Sequence, residues 1–139
     1  MITKIFIDSD VILDLLAQRS PYYDYSAKIF TLVHKKEIEV FTTAVVLSNV
    51  FYILRKINGR DKAKKQLKAL RLLIRVLPIS EHVVDMTLNS KFNDFEDGLQ
   101  YFTAKDGNIQ AIITRNIKDY KEKDLIIQTP EEYITRSVD

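Results

Sequence analysis

The chain has no cysteine. A disulfide framework, a thiolate zinc site and a cysteine nucleophile are therefore excluded. Histidine is scarce too: His34 and His82 stand isolated among residues of helical pattern and read as ordinary surface or packing side chains. Oxygen atoms are what the sequence offers a ligand. No apolar run approaches the roughly 18 residues that a membrane span needs. The opening Met-Ile-Thr-Lys-Ile-Phe-Ile-Asp8 has no signal-peptide layout, so a cytoplasmic protein without a membrane partner is expected. Repeats, linkers and low-complexity tracts are also missing. At 139 residues and 46% hydrophobic content, the chain suits a single domain, 1–139, able to bury its own core.

Charge is present but unevenly placed. Between Arg55 and Arg75 nine basic residues face the single acid Asp61, a local +8, although the net charge of the chain is only +2. Between Glu81 and Asp97 five acids face Lys91, a local −4. A basic face beside an acidic pocket suits an enzyme that holds a polyanion by its phosphates and binds metal ions at the scissile bond.

The first stretch organises the rest. Ile5 to Ile7 reads as a strand buried on both faces and ends in the carboxylate of Asp8. Val11, Ile12, Leu15 and Leu16 then recur at helical spacing, with Asp10 able to cap that helix. Helices follow over Tyr22 to Lys36, Ala44 to Ile57 and Asp61 to Ile74, with strands at Ile38 to Thr42 and Val76 to Ile79. A fifth helix opens at Ser80, and a sixth, capped by Asp94, ends near Gly107. Ile109 to Thr114 and Leu125 to Ile127 complete the strands, and Thr129-Pro130-Glu131-Glu132 is a capping box for a last helix. Strands separated by helices must cross over to pair, which predicts a three-layer α/β/α domain on a mostly parallel sheet of about five strands.

Three strand ends or helix starts carry oxygen ligands: Asp8 with Asp10, Asp94 with Asp97, and Asn116 with Asp119. Asp8 and Asp10 also fit plain turn and cap roles. Converging carboxylates raise one another's pKa unless a cation sits among them, and the hard ions Mg²⁺ and Mn²⁺ take oxygen donors. On the third helix Val46, Val50, Ile53, Leu54 and Ile57 form the expected buried stripe, and Asn49 falls on it. On the fourth helix Lys64, Lys68 and Arg71 share one face, either a solvated stripe or a run of phosphate contacts. Tyr22, Tyr23 and Tyr25, at helical spacing after Pro21, read as packing residues or as a platform for bases.

Ile-Phe-Ile-Asp8-Ser-Asp10-Val-Ile-Leu-Asp14, Thr43-Ala-Val-Val-Leu-Ser-Asn49-Val, Asp94-Phe-Glu-Asp97-Gly-Leu-Gln and Ile113-Thr-Arg-Asn116-Ile-Lys-Asp119-Tyr follow one another in an order that resembles the PIN-domain ribonucleases, among them the VapC-type toxins. The resemblance implies an endoribonuclease using Mg²⁺ or Mn²⁺. Asp8 and Asp97 would be metal ligands with Asp94 beside them, Asn116 and Asp119 would complete the site, and Asp10, Asn49 and Glu96 would line the pocket. It further implies RNA as substrate, an antitoxin protein as partner and a homodimer. Two positions depart from the family pattern: Asn49 stands where glutamate is usual and Asn116 where aspartate is frequent. Each substitution removes a negative charge, which motivates the alternative of a catalytically weak module that binds RNA or protein. Asp8-Ser-Asp10-Val also looks like the opening motif of haloacid-dehalogenase-type phosphatases, with Asp8 as nucleophile and Asp10 as acid and base. Those enzymes need a flap after the second aspartate, whereas helical periodicity here resumes at Val11.

Overall fold

Thr3–Ile7 forms the central strand β1, and its composition explains the position. Ile5, Phe6 and Ile7 are all fully buried, as a strand covered on both faces requires. The computed structural model describes residues 2–120, 122 and 124–137. Around β1 it arranges α1 (Ser9–Leu16), α2 (Tyr23–His34), β2 (Ile38–Thr43), α3 (Ala44–Asn58), α4 (Arg60–Arg71), β3 (Ile74–Leu77), α5 (Glu81–Leu88) and α6 (Phe95–Asp106). β4 (Ala111–Ile113), a 3-10 turn at Ile117–Asp119, β5 (Ile126–Gln128) and α7 (Pro130–Ser137) follow.

The sheet order is β3-β2-β1-β4-β5 with every neighbouring pair parallel. Helices α1 to α4 pack on one another and α7 on α2, while α5 packs on α6, so helical layers flank the sheet. The chain builds outward from β1 to β2 and β3, then returns past β1 to lay down β4 and β5. Strand order thus reverses between β1 and β4, and the crevice beyond the carboxyl ends of strands at such a reversal is where open α/β sheets bind ligands. Asp8 leaves β1 at that point, its N–H donating to the Ile113 carbonyl of β4 at 3.0 Å.

Several element ends differ from the sequence expectation. Helix α4 stops at Arg71 and β3 begins at Ile74, where Asp61 to Ile74 and Val76 to Ile79 were expected. The apolar triplet Leu72-Leu73-Ile74 imitates a continuing helix face. Ile74, however, pairs with Val40 of β2 and is buried, while Leu72 is 87% exposed. On α3 the buried line is Val46, Val50 and Leu54, spaced by four, whereas Ile53 and Ile57 are 37% and 59% exposed. Both follow members of that line by three rather than four residues, on a flank left open, and half-buried Asn49 lies on the same flank. Thr43, Ser80 and Asp94 cap α3, α5 and α6. The capping box closes in both directions, Thr129 N–H to Glu132 and Glu132 N–H to Thr129, each at 3.1 Å. Among the described residues no helix is long and apolar enough to cross a membrane.

Candidate functional site

Asp8 is 6% exposed and does two things at once. Oδ1 accepts the Ser9 N–H at 2.7 Å, making Asp8, not Asp10, the N-cap of α1. Oδ2 accepts the hydroxyls of Thr114 at 2.9 Å and Tyr120 at 3.2 Å. The cap and site readings of Asp8 are therefore compatible. Tyr120 also lies 3.0 Å from Oε1 of buried Gln100. A phenol carries one proton, so Tyr120 donates to Asp8 Oδ2 or to Gln100 Oε1 at any moment, and the Gln100 side chain itself also bonds the Asp8 carboxylate. Burial raises the Asp8 pKa above the usual carboxylate value despite the bonds from Ser9, Thr114 and Tyr120. Burial and the charge of Asp8 hold the Tyr120 phenol well above its ordinary value, so it remains a donor.

Within the first two turns of α1 is a second layer of charge. Oδ2 of Asp10 accepts from the Arg115 backbone N–H at 3.0 Å and from Asn116 Nδ2 at 3.2 Å. Its Oδ1 is buried and has no hydrogen-bond partner. Burial, then the neighbouring Asp8 charge, pushes the Asp10 pKa up to about 6. Asp14 is fully buried and holds two guanidinium groups: Arg115 through Nε at 2.8 Å and Nη2 at 3.2 Å, and Arg19 through Nε at 3.0 Å. The bidentate grip fixes the plane of the Arg115 guanidinium, which lies 3.9 Å from the centre of the Tyr22 ring.

The opposite wall is the start of α6. Asp94 caps it by accepting the Asp97 N–H at 3.0 Å, and Glu96 accepts from Asn49 Nδ2 at 2.6 Å, tying α6 to α3. Asp97 is half-buried. Its pKa is pushed up to about 7 by burial first and then by the charges of Asp94, Asp8, Asp119 and Glu96. That Asp8 and Asp119 both act on Asp97 brings the ends of β1, β4 and α6 to one place.

A family model described as PIN domain matches residues 4–118. The chain belongs to the PIN-domain family. It is 27% identical over 138 residues to Ribonuclease VapC1 of Aquifex aeolicus, spanning 96% of this chain and 94% of that protein. Among solved structures it is similar to the VapBC2 complex of Rickettsia felis bound to a promoter DNA fragment, with a TM-score of 0.71, 15% identity, and 91% and 98% of the two chains covered. It is similar as well to VapC20 of Mycobacterium tuberculosis, a sarcin-ricin loop cleaving toxin, with a TM-score of 0.61, 18% identity and 78% and 86% coverage. At those identities the structural likeness concerns the fold. The phosphatase alternative falls away, because α1 starts at Ser9 directly after Asp8 and leaves no segment for a flap.

In this PIN domain Asn116 bonds Asp10, Asp97 lies within electrostatic reach of Asp94, Asp8, Asp119 and Glu96, and Asn49 is paired with Glu96. The basic stripe is not gathered there. Arg71 donates to the Ile74 carbonyl at 2.9 Å and lines a cavity with Ile38 and Ile74, the first residues of β2 and β3, at the far end of the sheet. Lys64 and Lys68 are exposed on α4. Sequence reasoning overlooked Thr114, Tyr120, Gln100 and Arg115. The last two had a signal: Gln100 lies one helical turn after Asp97, and Arg115 sits between two site positions.

The residues fit a hard divalent ion. Every available donor is oxygen, both histidines are exposed, and Asp10 Oδ1 is a buried acceptor without a partner. Among the described residues no group of three or more carboxylates or imidazoles is placed to hold a metal ion. Mg²⁺ or Mn²⁺ would therefore have to be held through one or two carboxylates, with waters completing its shell.

Proposed function

We propose that this PIN domain is a metal-dependent endoribonuclease and the toxin of a toxin-antitoxin pair. The observation that carries the reading is the buried carboxylate of Asp8, held by two hydroxyls across from Asp97 at the sheet's reversal point. The relative named Ribonuclease VapC1 and the VapBC2 complex support the substrate and the partner. Asp8 and Asp97 would hold the ion, with Asp94, Asn116 and Asp119 as neighbouring ligands or anchors for its waters. A divalent ion bound there supplies an activated water and screens the charge that develops on the phosphate. The protein's own part is positional. Thr114 and Tyr120 fix the direction of the Asp8 carboxylate, and Gln100 fixes Tyr120. Asp10 anchors the loop after β4 by its Arg115 N–H and Asn116 amide. Exposed Lys64 and Lys68 would hold the RNA backbone outside the crevice.

Incubation of a mixed RNA pool with Mg²⁺, Mn²⁺ or chelator tests the reading. Cleavage is expected only with metal, and Asp8→Asn or Asp97→Asn should lower it by orders of magnitude. Cleavage that persists in chelator would sink the proposal. Changing Lys64 and Lys68 to glutamine should flatten the salt dependence of RNA binding by about 0.7 in log-log slope per lost contact.

A further inference from the structure

A cavity of about 310 Å³ opens beside the acidic crevice, where the start of α2, the loop after β4 and the first turn of α7 meet. Tyr22, Tyr25, Arg115, Asn116 and Glu131 contribute to its wall. Two of these belong to both places, since the Arg115 N–H and the Asn116 amide both donate to Asp10. A group seated in the cavity is thereby held next to the carboxylates.

The wall is built for a flat, polar-edged ligand. Tyr22 is 40% exposed and already carries the Arg115 guanidinium on its ring, 3.9 Å from the centre. Asp14 engages Nε and Nη2 of that guanidinium, leaving Nη1 as a fixed cationic donor. Across the cavity the Tyr25 hydroxyl donates to Glu131 Oε1 at 3.3 Å, which steadies an anionic acceptor. Asn116 commits its Nδ2 to Asp10 and keeps its carbonyl oxygen.

We propose that this cavity is a guanine subsite that holds the base of the RNA nucleotide beside the scissile phosphate. The proposal deepens the ribonuclease reading and rests on it for the position of the cut. Guanine presents one acceptor, O6, followed by two adjacent donors, N1–H and the N2 amino group, along a single edge. A carboxylate accepts from both donors, and the arginine donates to O6. Adenine and cytosine offer one amino donor next to a ring acceptor that Glu131 repels, and uracil flanks its one N–H with two carbonyls. Single-stranded RNA is read through such edges while the base stacks on aromatic planes, which Tyr22 and Tyr25 provide.

The test uses the full chain in two arms. In the first, cleavage with Mn²⁺ of a pool of short RNAs of random sequence is expected to place guanine at one fixed position from the cut, roughly tenfold over adenine for a bidentate contact. Glu131→Gln should bring that ratio near unity, and Tyr22→Ala should raise KM for the guanine substrates. In the second, Asp8→Asn protein in chelator is titrated with guanosine and adenosine 5′-monophosphates, followed by the tyrosine ring signals in NMR spectra. The guanine nucleotide is expected to bind more tightly, and adding Glu131→Gln should remove the difference. Cleavage with no base preference, or with one that Glu131→Gln leaves intact, overturns the subsite and leaves the ribonuclease standing. No cleavage with any metal, together with a guanine preference that depends on Glu131, upholds the subsite and overturns the ribonuclease reading. Absence of both overturns both.

Discussion

Asp14→Asn isolates the buried charge that supports the site from behind. The substitution keeps the shape of a side chain with no exposed surface, removes its charge, and turns an amide group toward two guanidiniums that were donating to it. Breaking a buried pair by changing one partner costs about 3–5 kcal/mol, because the other charge is left uncompensated. Here the partners retain an escape to water, with Arg115 at 28% and Arg19 at 40% side-chain exposure, so the lower end applies. The expected loss is about 3 kcal/mol, or about 10 °C in melting temperature for a chain of this size. Arg19→Gln provides the comparison. It removes the bond to Asp14 and a longer one to the Asp10 carbonyl from the more exposed partner and leaves Arg115 seated, so its cost should be about 1 kcal/mol. Urea denaturation followed by circular dichroism measures both. RNA cleavage below both melting points should fall further for Asp14→Asn, because a loosened Arg115 also loosens the backbone N–H on Asp10. Equal losses for the two variants, or a loss under about 1 kcal/mol for Asp14→Asn, would refute the assignment of the buried charge to Arg115.

Asn49→Glu exchanges the donor to Glu96 for a like charge at a partly exposed position, so it should cost roughly 0.5–1 kcal/mol in chelator. With Mn²⁺ the added carboxylate should tighten binding and raise the melting temperature by more than in the parent; equal responses would remove Asn49 from the pocket. Gly98→Ala should destabilise by about 2 kcal/mol, since a Cβ there would stand 2.5 Å from the Thr87 methyl carbon between α5 and α6. Thr87→Ser, which deletes that methyl but keeps the hydroxyl bond to the Val83 carbonyl, should restore much of the loss, and no recovery would contradict the steric account. The pKa values of Asp10 and Asp97, at about 6 and about 7, are raised above the ordinary carboxylate range, so the folded state binds their protons more tightly than the unfolded chain. Their contribution to stability is fully present below about pH 4 and is lost as pH rises through 6 and 7, so metal-free protein should melt at a lower temperature at pH 8 than at pH 5. Melting scans across that range in chelator check the sign.

Features that repeat or cap locally are legible in the chain alone. Two-sided burial of Ile5 to Ile7, the caps at Thr43, Ser80 and Asp94, the box at Thr129 and the acids at Asp8, Asp94 and Asp97 need only neighbouring residues to be recognised. Tertiary structure decided which distant groups meet those acids. Thr114 reaches Asp8 across 106 residues, Tyr120 across 112, and Arg115 reaches Asp14 across 101. No local period encodes that β4 returns to the free side of β1, yet that pairing gives Asp8 its hydroxyl donors and opens the crevice at the reversal. The same non-local pairing claimed Ile74 for the sheet against its helix-like context, because its partner in β2 offered burial that another helical turn did not.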